Sequence, residues 1–480
     1  MKNRKLVVSI LAFIGLFVSA NVPLIGSLSQ EANFTIGIFV CILVLWLFIG
    51  FDWPSLLCIA CIGLLPSVGL KGALATSFGS SSFVFLMFTF LCTYALTQTS
   101  FIPRVSKWFL SLKLARKGAV SLSTTLFLSV LVLGCFISPS VLFFTMYPLV
   151  KNIYKMLGLK KGDAFSSMLL IGVVGSVSLA SGMTPISHAF PVAALSIYET
   201  LTGHVINYVG YMMFAIPTGI LIFIVMLIAL NIIYKPKTIE IPELNKDELF
   251  ENTSTTFSVR EKIIITVFFS VVLLWVLPSM ISPFFPEIGG QLSKLGTALP
   301  PMFGTVILCV VRIDDKPLLN LQQGMANGIS WNTLFMSASA NCLAVALVND
   351  NIGIPVFLRE SVLPDLSVVS PLIIVAIFVI WGSIQSNFTA HLLTAQLTTS
   401  VAIQMLSTNN SVHLSAIVAI TAFASSLGFT FPSSMPYVAE AHGSGWVIKK
   451  DLLRLGVFVC IVAVLVTITV AYPLALHVIV

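Results

Sequence analysis

The sequence predicts an all-α polytopic membrane protein, and its composition and hydropathy are the observations that predict this fold class. Of its 480 residues, 57% are hydrophobic and only 9% are charged, whereas a soluble domain is typically about 25% charged. The mean hydropathy is +1.03. A soluble fold could not surround so much apolar surface with polar side chains. The composition therefore excludes a soluble globular protein, a disordered chain, a disulfide scaffold and a nucleic-acid-binding protein.

Apolar segments long enough to span a membrane recur along the chain. A bilayer core of about 30 Å requires about 20 apolar residues per helix. We predict about eleven transmembrane helices, near 6–26, 34–50, 54–69, 79–99, 164–197, 205–233, 263–282, 299–312, 330–348, 413–441 and 454–476. Two further segments, 119–150 and 367–405, are interrupted in the middle by small polar residues. We expect each to form a re-entrant hairpin.

The positions of the basic residues predict the orientation of the chain. With a cytoplasmic N-terminus and both hairpins returning to their own side, every Lys and Arg except Lys71, Lys294 and Arg359 lies on the cytoplasmic side. Such a bias is typical of a correct topology, because cytoplasmic loops are enriched in basic residues. We therefore predict a multi-pass protein of the cytoplasmic membrane. The basic residues indicate topology and not a nucleic-acid-binding surface.

An internal duplication divides the chain into two halves. Ser138 and Ser386, at the two hairpin tips, and Pro185 and Pro436, in two interrupted helices, recur at an offset near 250 residues. The predicted topology inserts the two copies in opposite orientations, as in the inverted repeats of secondary transporters. The predicted units are an N-terminal transmembrane helix (1–33), a first inverted repeat (34–234), a cytoplasmic linker (235–262) and a second inverted repeat (263–480).

The four interruptions predict a binding site for an anion. Non-helical backbone inside a bilayer survives only where protein or water covers it. Helix halves that begin at such breaks direct N–H groups and positive dipole ends into a shared space. An anion could then bind without a buried Lys or Arg. The proposed substrate-binding residues are Ser138, Ser140, Thr184, Pro185, Ser386, Asn387, Thr389 and Pro436. The alternative is that small residues only permit close helix packing.

The C-terminal interruption carries the motif of a known family. The stretch 423–447, FASSLGFTFPSSMPYVAEAHGSGWV, contains Ser426, Phe429, Pro432 and Pro436 in the family's spacing, followed by Gly443–Ser444–Gly445. The chain thus resembles the divalent anion/sodium symporters, which carry dicarboxylates, citrate and sulfate. The resemblance implies a substrate domain that moves against a homodimeric scaffold, with a C4-dicarboxylate as the favoured substrate. It also implies possible Na⁺ sites at Ser138 and Asn387 and at helix breaks near Gly175 and Ala424.

Both hairpin tips depart from the Ser-Asn-Thr of that family. Phe388 is inserted between Asn387 and Thr389, and Pro139 replaces the Asn at the first tip. Pro also lacks a backbone N–H donor. These departures leave two mechanisms open, Na⁺-coupled symport and dicarboxylate exchange without sodium.

Other titratable side chains define a rival interpretation. A cation/proton antiporter or a metalloid-oxyanion carrier would need a titrating group in the cavity, for which His391 and Glu440 are candidates. A neutral His391 that is hydrogen-bonded between helices is the alternative. His188 could also line the cavity. The sequence contains no metalloprotease, nucleotide-binding or nucleophile-elbow motif, so we expect a carrier and not an enzyme, with no cofactor.

Overall fold

The computed structural model describes residues 2–113, 118–186, 188–236, 256–282, 284–357, 369–406 and 412–479. Within these residues the regular secondary structure is helical apart from one short antiparallel hairpin, in which β1 pairs with β2. The predicted all-α membrane fold is confirmed. Most of the linker predicted at 235–262 lies outside the described residues, as does Arg359.

The first half of the chain contributes eleven helices in the described ranges. They are α1 (Lys2–Asn21), α2 (Gln30–Phe48), α3 (Trp53–Gly63), α4 (Gly69–Ser77), α5 (Ser81–Thr97), α6 (Phe101–Ser111), α7 (Ala119–Gly134), α8 (Pro139–Met156), α9 (Ala164–Met183), α10 (Ala189–Thr202) and α11 (Tyr208–Tyr234). Side-chain caps determine where several of these helices begin. At the start of α2, for example, the Ser29 hydroxyl accepts a hydrogen bond from the Ala32 N–H.

The described part of the second half adds twelve helices, the β-hairpin, a 3₁₀ turn and a π turn. They are α12 (Val259–Ile281), α13 (Pro286–Lys294), α14 (Leu299–Val310), β1 (Arg312–Ile313), β2 (Lys316–Pro317), α15 (Leu321–Asn327), α16 (Trp331–Leu347), α17 (Ile354–Phe357), α18 (Pro371–Phe388), α19 (His391–Leu406), α20 (Leu414–Ala424), the 3₁₀ turn Ser425–Leu427, α21 (Pro436–Gly443), α22 (Lys449–Val466), the π turn Thr467–Ala471 and α23 (Tyr472–Val478). A capping box between Ser258 and Glu261 starts α12.

The helices differ in length from the predicted spans. In the described ranges six helices are long and apolar enough to cross a membrane, or up to eight if each bent pair forms one span. The sequence predicts about eleven. Part of the difference arises at 413–441, where an interior break leaves a first helix too short to span; at 164–197 the helix Ala164–Met183, before the break, is still long enough. The bent pairs are α4 with α5, at 40°, and α13 with α14, at 66°.

The order of elements recurs in the two halves. Helices α5 and α16 begin at Ser81 and Trp331, and each contains 17 residues. In both halves a helical hairpin follows, α7–α8 and then α18–α19, and an interrupted helix comes after it. The interrupted helices begin at Ala164 and Leu414. In each of these two pairs the helices therefore begin 250 residues apart.

Helix α9 lies at the centre of the apolar core. Every residue from Phe165 to Met183 is buried, and the helix packs against α7, α8 and α11. A helix that is apolar all round is expected in such a position. Helix α10, which continues the chain after the break, packs against α19 and α20 of the other half. The first interrupted helix therefore joins both halves.

Candidate functional site

The first hairpin turns between α7 and α8 at residues 135–138. Ser138 is the N-cap of α8 but makes no side-chain cap, and Pro139 occupies the first turn. Proline suits this position because its fixed φ matches the helix and no N–H is needed there. Ser138 and Ser140 are both half-buried. The hydroxyls of this tip are thus not used to cap the helix that follows them.

The first interruption is hydrogen-bonded to this hairpin. Helix α9 ends at Met183, and Thr184 is extended, with φ −138° and ψ 148°. The Thr184 hydroxyl donates to the Cys135 carbonyl, and His188 Nε2 lies 2.8 Å from the Gly134 carbonyl oxygen. Because a carbonyl only accepts, a neutral His188 carries its proton on Nε2. Two side chains of the broken helix therefore hold the end of α7.

The second hairpin is hydrogen-bonded to the second interruption. The Asn387 amide donates to the Ser383 carbonyl over 2.8 Å, and its oxygen accepts the Thr430 N–H over 3.1 Å. His391 Nε2 lies 2.7 Å from the Gly428 carbonyl oxygen. Both side chains are buried. Asn387 and His391 thus tie the tip of the second hairpin to the broken helix of the same half.

His188 and His391 each bond a backbone carbonyl, but they lie on opposite elements of their halves. His188 belongs to the broken helix of the first half, whereas His391 belongs to the hairpin of the second. Both are fully buried, and Nδ1 of each ring has no hydrogen-bond partner among the described residues. The Phe190 ring packs edge-on against His391, with centroids 5.6 Å apart. This contact connects the two halves beside the interruptions.

The two interruptions themselves meet. Gly182, near the end of α9, faces Ser426 of the 3₁₀ turn so closely that a Cβ on Gly182 would overlap the Ser426 hydroxyl. The Ser178 and Tyr437 hydroxyls are 2.6 Å apart, which joins α9 to α21. Gly428 likewise packs against the Ser386 carbonyl without room for a Cβ. The four interruptions therefore form one contiguous region.

This region is polar but carries little formal charge. Helices α7, α9, α18, α19 and α20 contain no Asp, Glu, Lys or Arg. Positive potential must come from the helix N-termini that begin at the breaks. In the described residues Thr430 Oγ1 and Ser383 Oγ are buried there without a partner. Such groups are free to contact a bound ion or water.

The structure places the predicted substrate residues at different depths. Thr184, Pro185, Ser386 and Asn387 are buried where the interruptions meet. The Thr389 hydroxyl lies 3.0 Å from that of Thr394, within the second hairpin. Pro436 begins α21 and is exposed. The buried members are thus brought together, whereas Pro436 lies at the surface.

One of the predicted helix breaks requires correction. The sequence places an interruption near Gly175, but α9 continues unbroken to Met183. Gly175 packs against Met226 instead. The small polar residues do not break the helix because their hydroxyls bond within it; Ser176, for example, donates to the Gly172 carbonyl over 2.7 Å. Ala424, by contrast, is the last residue of α20 and does mark a break.

Aromatic contacts at the site are not predicted by the sequence. The inserted Phe388 stacks on Phe431 of the second interruption, with ring centroids 4.8 Å apart and planes at 21°. The insertion itself is the signal that could have identified this contact. Tyr211 donates to the Gly182 carbonyl over 2.8 Å. Phe388 and Tyr211 thus contact the two interrupted helices, at positions that the sequence does not assign to the site.

Comparison with known proteins identifies similar chains over most of this length. Residues 2–478 match the family described as sodium:sulfate symporter transmembrane region. An uncharacterized transporter of Haemophilus influenzae is 23% identical over 396 residues, which cover 80% of each chain. The sodium-dependent dicarboxylate transporter SdcS of Staphylococcus saprophyticus is 22% identical over 307 residues, covering 63% of this chain and 56% of that protein.

Proposed function

This chain belongs to the sodium:sulfate symporter family, and we propose that it is a secondary active transporter of a small divalent organic anion in the cytoplasmic membrane. Its N-terminus is cytoplasmic in this proposal. The observation that carries the proposal is the convergence of two hairpin tips and two broken helices on one polar, nearly uncharged region. Helix N-termini and hydroxyl groups can stabilise an anion there.

A C4-dicarboxylate is the favoured substrate, with citrate or sulfate as alternatives. Each half supplies one hairpin tip and one break, and two such sets suit a ligand with an anionic group at each end. The similarity to a protein named as a dicarboxylate transporter supports this choice. A lone carboxylate would use only half of these donors.

An elevator-type movement is the proposed mechanism. Thr184 and His188 tie the first break to its hairpin, and Asn387 and His391 do so in the second half. The contact of Gly182 with Ser426 joins the two sets. Elements linked in this way move as one body more readily than as separate gates. In this proposal the two halves are inverted repeats, and the remaining helices form the scaffold of a homodimer.

Coupling to Na⁺ is proposed, with exchange without sodium as the second candidate. The carbonyls near Ala424 and the Asn387 oxygen are suitable ligands in the second half, because Na⁺ prefers oxygen donors in broken helices. The first tip offers Ser138, but Pro139 supplies neither a side-chain oxygen nor an N–H. This asymmetry is the observation that favours the second candidate.

Counterflow in proteoliposomes tests the proposal. Vesicles loaded with unlabelled succinate, citrate or sulfate are diluted into the labelled compound, with or without a sodium gradient. We expect labelled succinate to accumulate, and to accumulate faster with sodium. Accumulation that is independent of sodium supports the exchanger. Absence of counterflow with all three anions contradicts both candidates.

A further inference from the structure

A cavity of about 650 Å³ lies away from the interruptions. It is bounded by the start of α5, the end of α10, the start of α11 and parts of α12, α13 and α14. In the predicted topology all of these segments lie at the outer side of the membrane. Its volume falls within the range of sites for small organic ligands, about 300–1,000 Å³. The cavity is therefore large enough for a ligand of its own.

The wall of the cavity is mainly apolar and partly aromatic. Trp275 lines it and is held in place by a 3.0 Å hydrogen bond from its indole N–H to the Thr297 carbonyl. Tyr208 also lines it. The buried Phe85 ring packs behind both, with centroids 5.0 Å from Trp275 and 5.7 Å from Tyr208. Rings fixed in this way provide a preformed surface for an apolar chain or a cation.

The charge of the lining differs from that expected of the anion site. Among the described residues that line the cavity, Glu199 is the only one with a formal charge, and none is Lys or Arg. A dianion would gain no cationic partner there and would face the Glu199 carboxylate. A zwitterionic lipid headgroup would leave its phosphate without a cationic partner. The lining is complementary to a ligand with a positive group and an apolar body.

We propose that this cavity binds an amphipathic amine whose ammonium group pairs with Glu199 and whose apolar part packs against Trp275 and Phe303. The ammonium gains a charge-assisted contact with the carboxylate. The apolar part gains burial against the aromatic wall, which is the principal favourable term for such ligands. The site takes a ligand of opposite charge to the proposed substrate and shares no residue with the proposed anion site.

Quenching of tryptophan fluorescence tests the proposal on the full chain in lipid nanodiscs. The probe is dodecyltrimethylammonium brominated on its chain, because bromine quenches a tryptophan that it contacts. We expect saturable quenching that disappears in Trp275→Phe. Glu199→Gln keeps the shape of the side chain and should weaken apparent affinity about tenfold or more, as for loss of a charged hydrogen-bond partner. Glu287→Gln, an exposed acid of α13 outside the cavity, is the matched control and should have no effect.

Four results would overturn the proposal. Equal quenching by the chain-matched brominated sulfate would mean that charge is not recognised. Saturable quenching of Trp275 by brominated phosphatidylethanolamine would assign the cavity to a lipid. Unchanged affinity in Glu199→Gln would remove the carboxylate from the site. A second variant, Ser196→Phe, fills the cavity from α10 and should abolish quenching; retained quenching would place the probe elsewhere. None of these readouts depends on transport.

Discussion

Gly182 and Ser426, which belong to different halves of the chain, pack so closely that only glycine fits at position 182. This contact joins the end of α9 to the 3₁₀ turn after α20. It is the point at which the two broken helices meet, and the proposed anion site depends on it.

Gly182→Ala should lower stability and slow transport, because its Cβ overlaps the Ser426 hydroxyl. Overpacking of this kind costs about 1–3 kcal/mol. The measurement is thermal unfolding in detergent together with counterflow. Gly443→Ala is the matched control, since no atom lies within 4 Å of a Cβ there. Adding Ser426→Gly to Gly182→Ala should restore both properties, and failure to do so would place the damage elsewhere.

His391 should act as a positioning residue and not as a proton carrier. His391→Leu leaves the buried Gly428 carbonyl without its donor, which costs about 1–3 kcal/mol. His391→Gln offers an amide N–H and should recover much of the stability and the transport. Counterflow from about pH 6 to pH 8 should then have the same pH profile in His391→Gln as in the unmodified protein. A profile that flattens only in the variant would support the proton-coupled alternative.

The hydroxyl pair of Ser178 and Tyr437 should couple α9 to α21. Tyr437→Phe and Ser178→Ala each remove one partner of a 2.6 Å contact between buried side chains. A double-mutant cycle on the free energy of unfolding should give a coupling of about 1 kcal/mol. Tyr198→Phe, on α10 after the first interruption, is combined with Ser178→Ala as the uncoupled control. Strict additivity in the Ser178–Tyr437 cycle would contradict the contact.

The sequence predicts where the helices are interrupted better than it predicts the hydrogen bonds that residues at the interruptions make. Small polar residues at Ser138 and Ser386 are sufficient to locate both hairpin tips. The break predicted near Gly175 is misplaced because a hydroxyl such as that of Ser176 can donate to a carbonyl of its own helix. The bond from His391 to Gly428 spans 37 residues and depends on a backbone carbonyl, which leaves no pattern in the sequence.

The number of long spans is another property that the sequence does not determine. Hydropathy detects an apolar stretch but not a change of direction within it. The 40° bend between Gly69–Ser77 and Ser81–Thr97 depends on how these helices pack against α3 and α16. Tertiary contacts therefore decide whether adjacent apolar segments form one span or two.

In the proposed transporter, residues of both halves bind a single substrate, and saturation of counterflow tests this arrangement most directly. Thr184→Val and Asn387→Leu remove the polar groups of one side chain in each half while keeping its branched shape. Thr200→Val, in the last turn of α10, is the control. We predict that Thr184→Val and Asn387→Leu each raise the half-saturating succinate concentration about tenfold, because each removes a hydrogen bond that joins a hairpin to a broken helix, from Thr184 to the Cys135 carbonyl and from the Thr430 N–H to Asn387. An unchanged half-saturating concentration in either folded variant would contradict a site shared by the two halves.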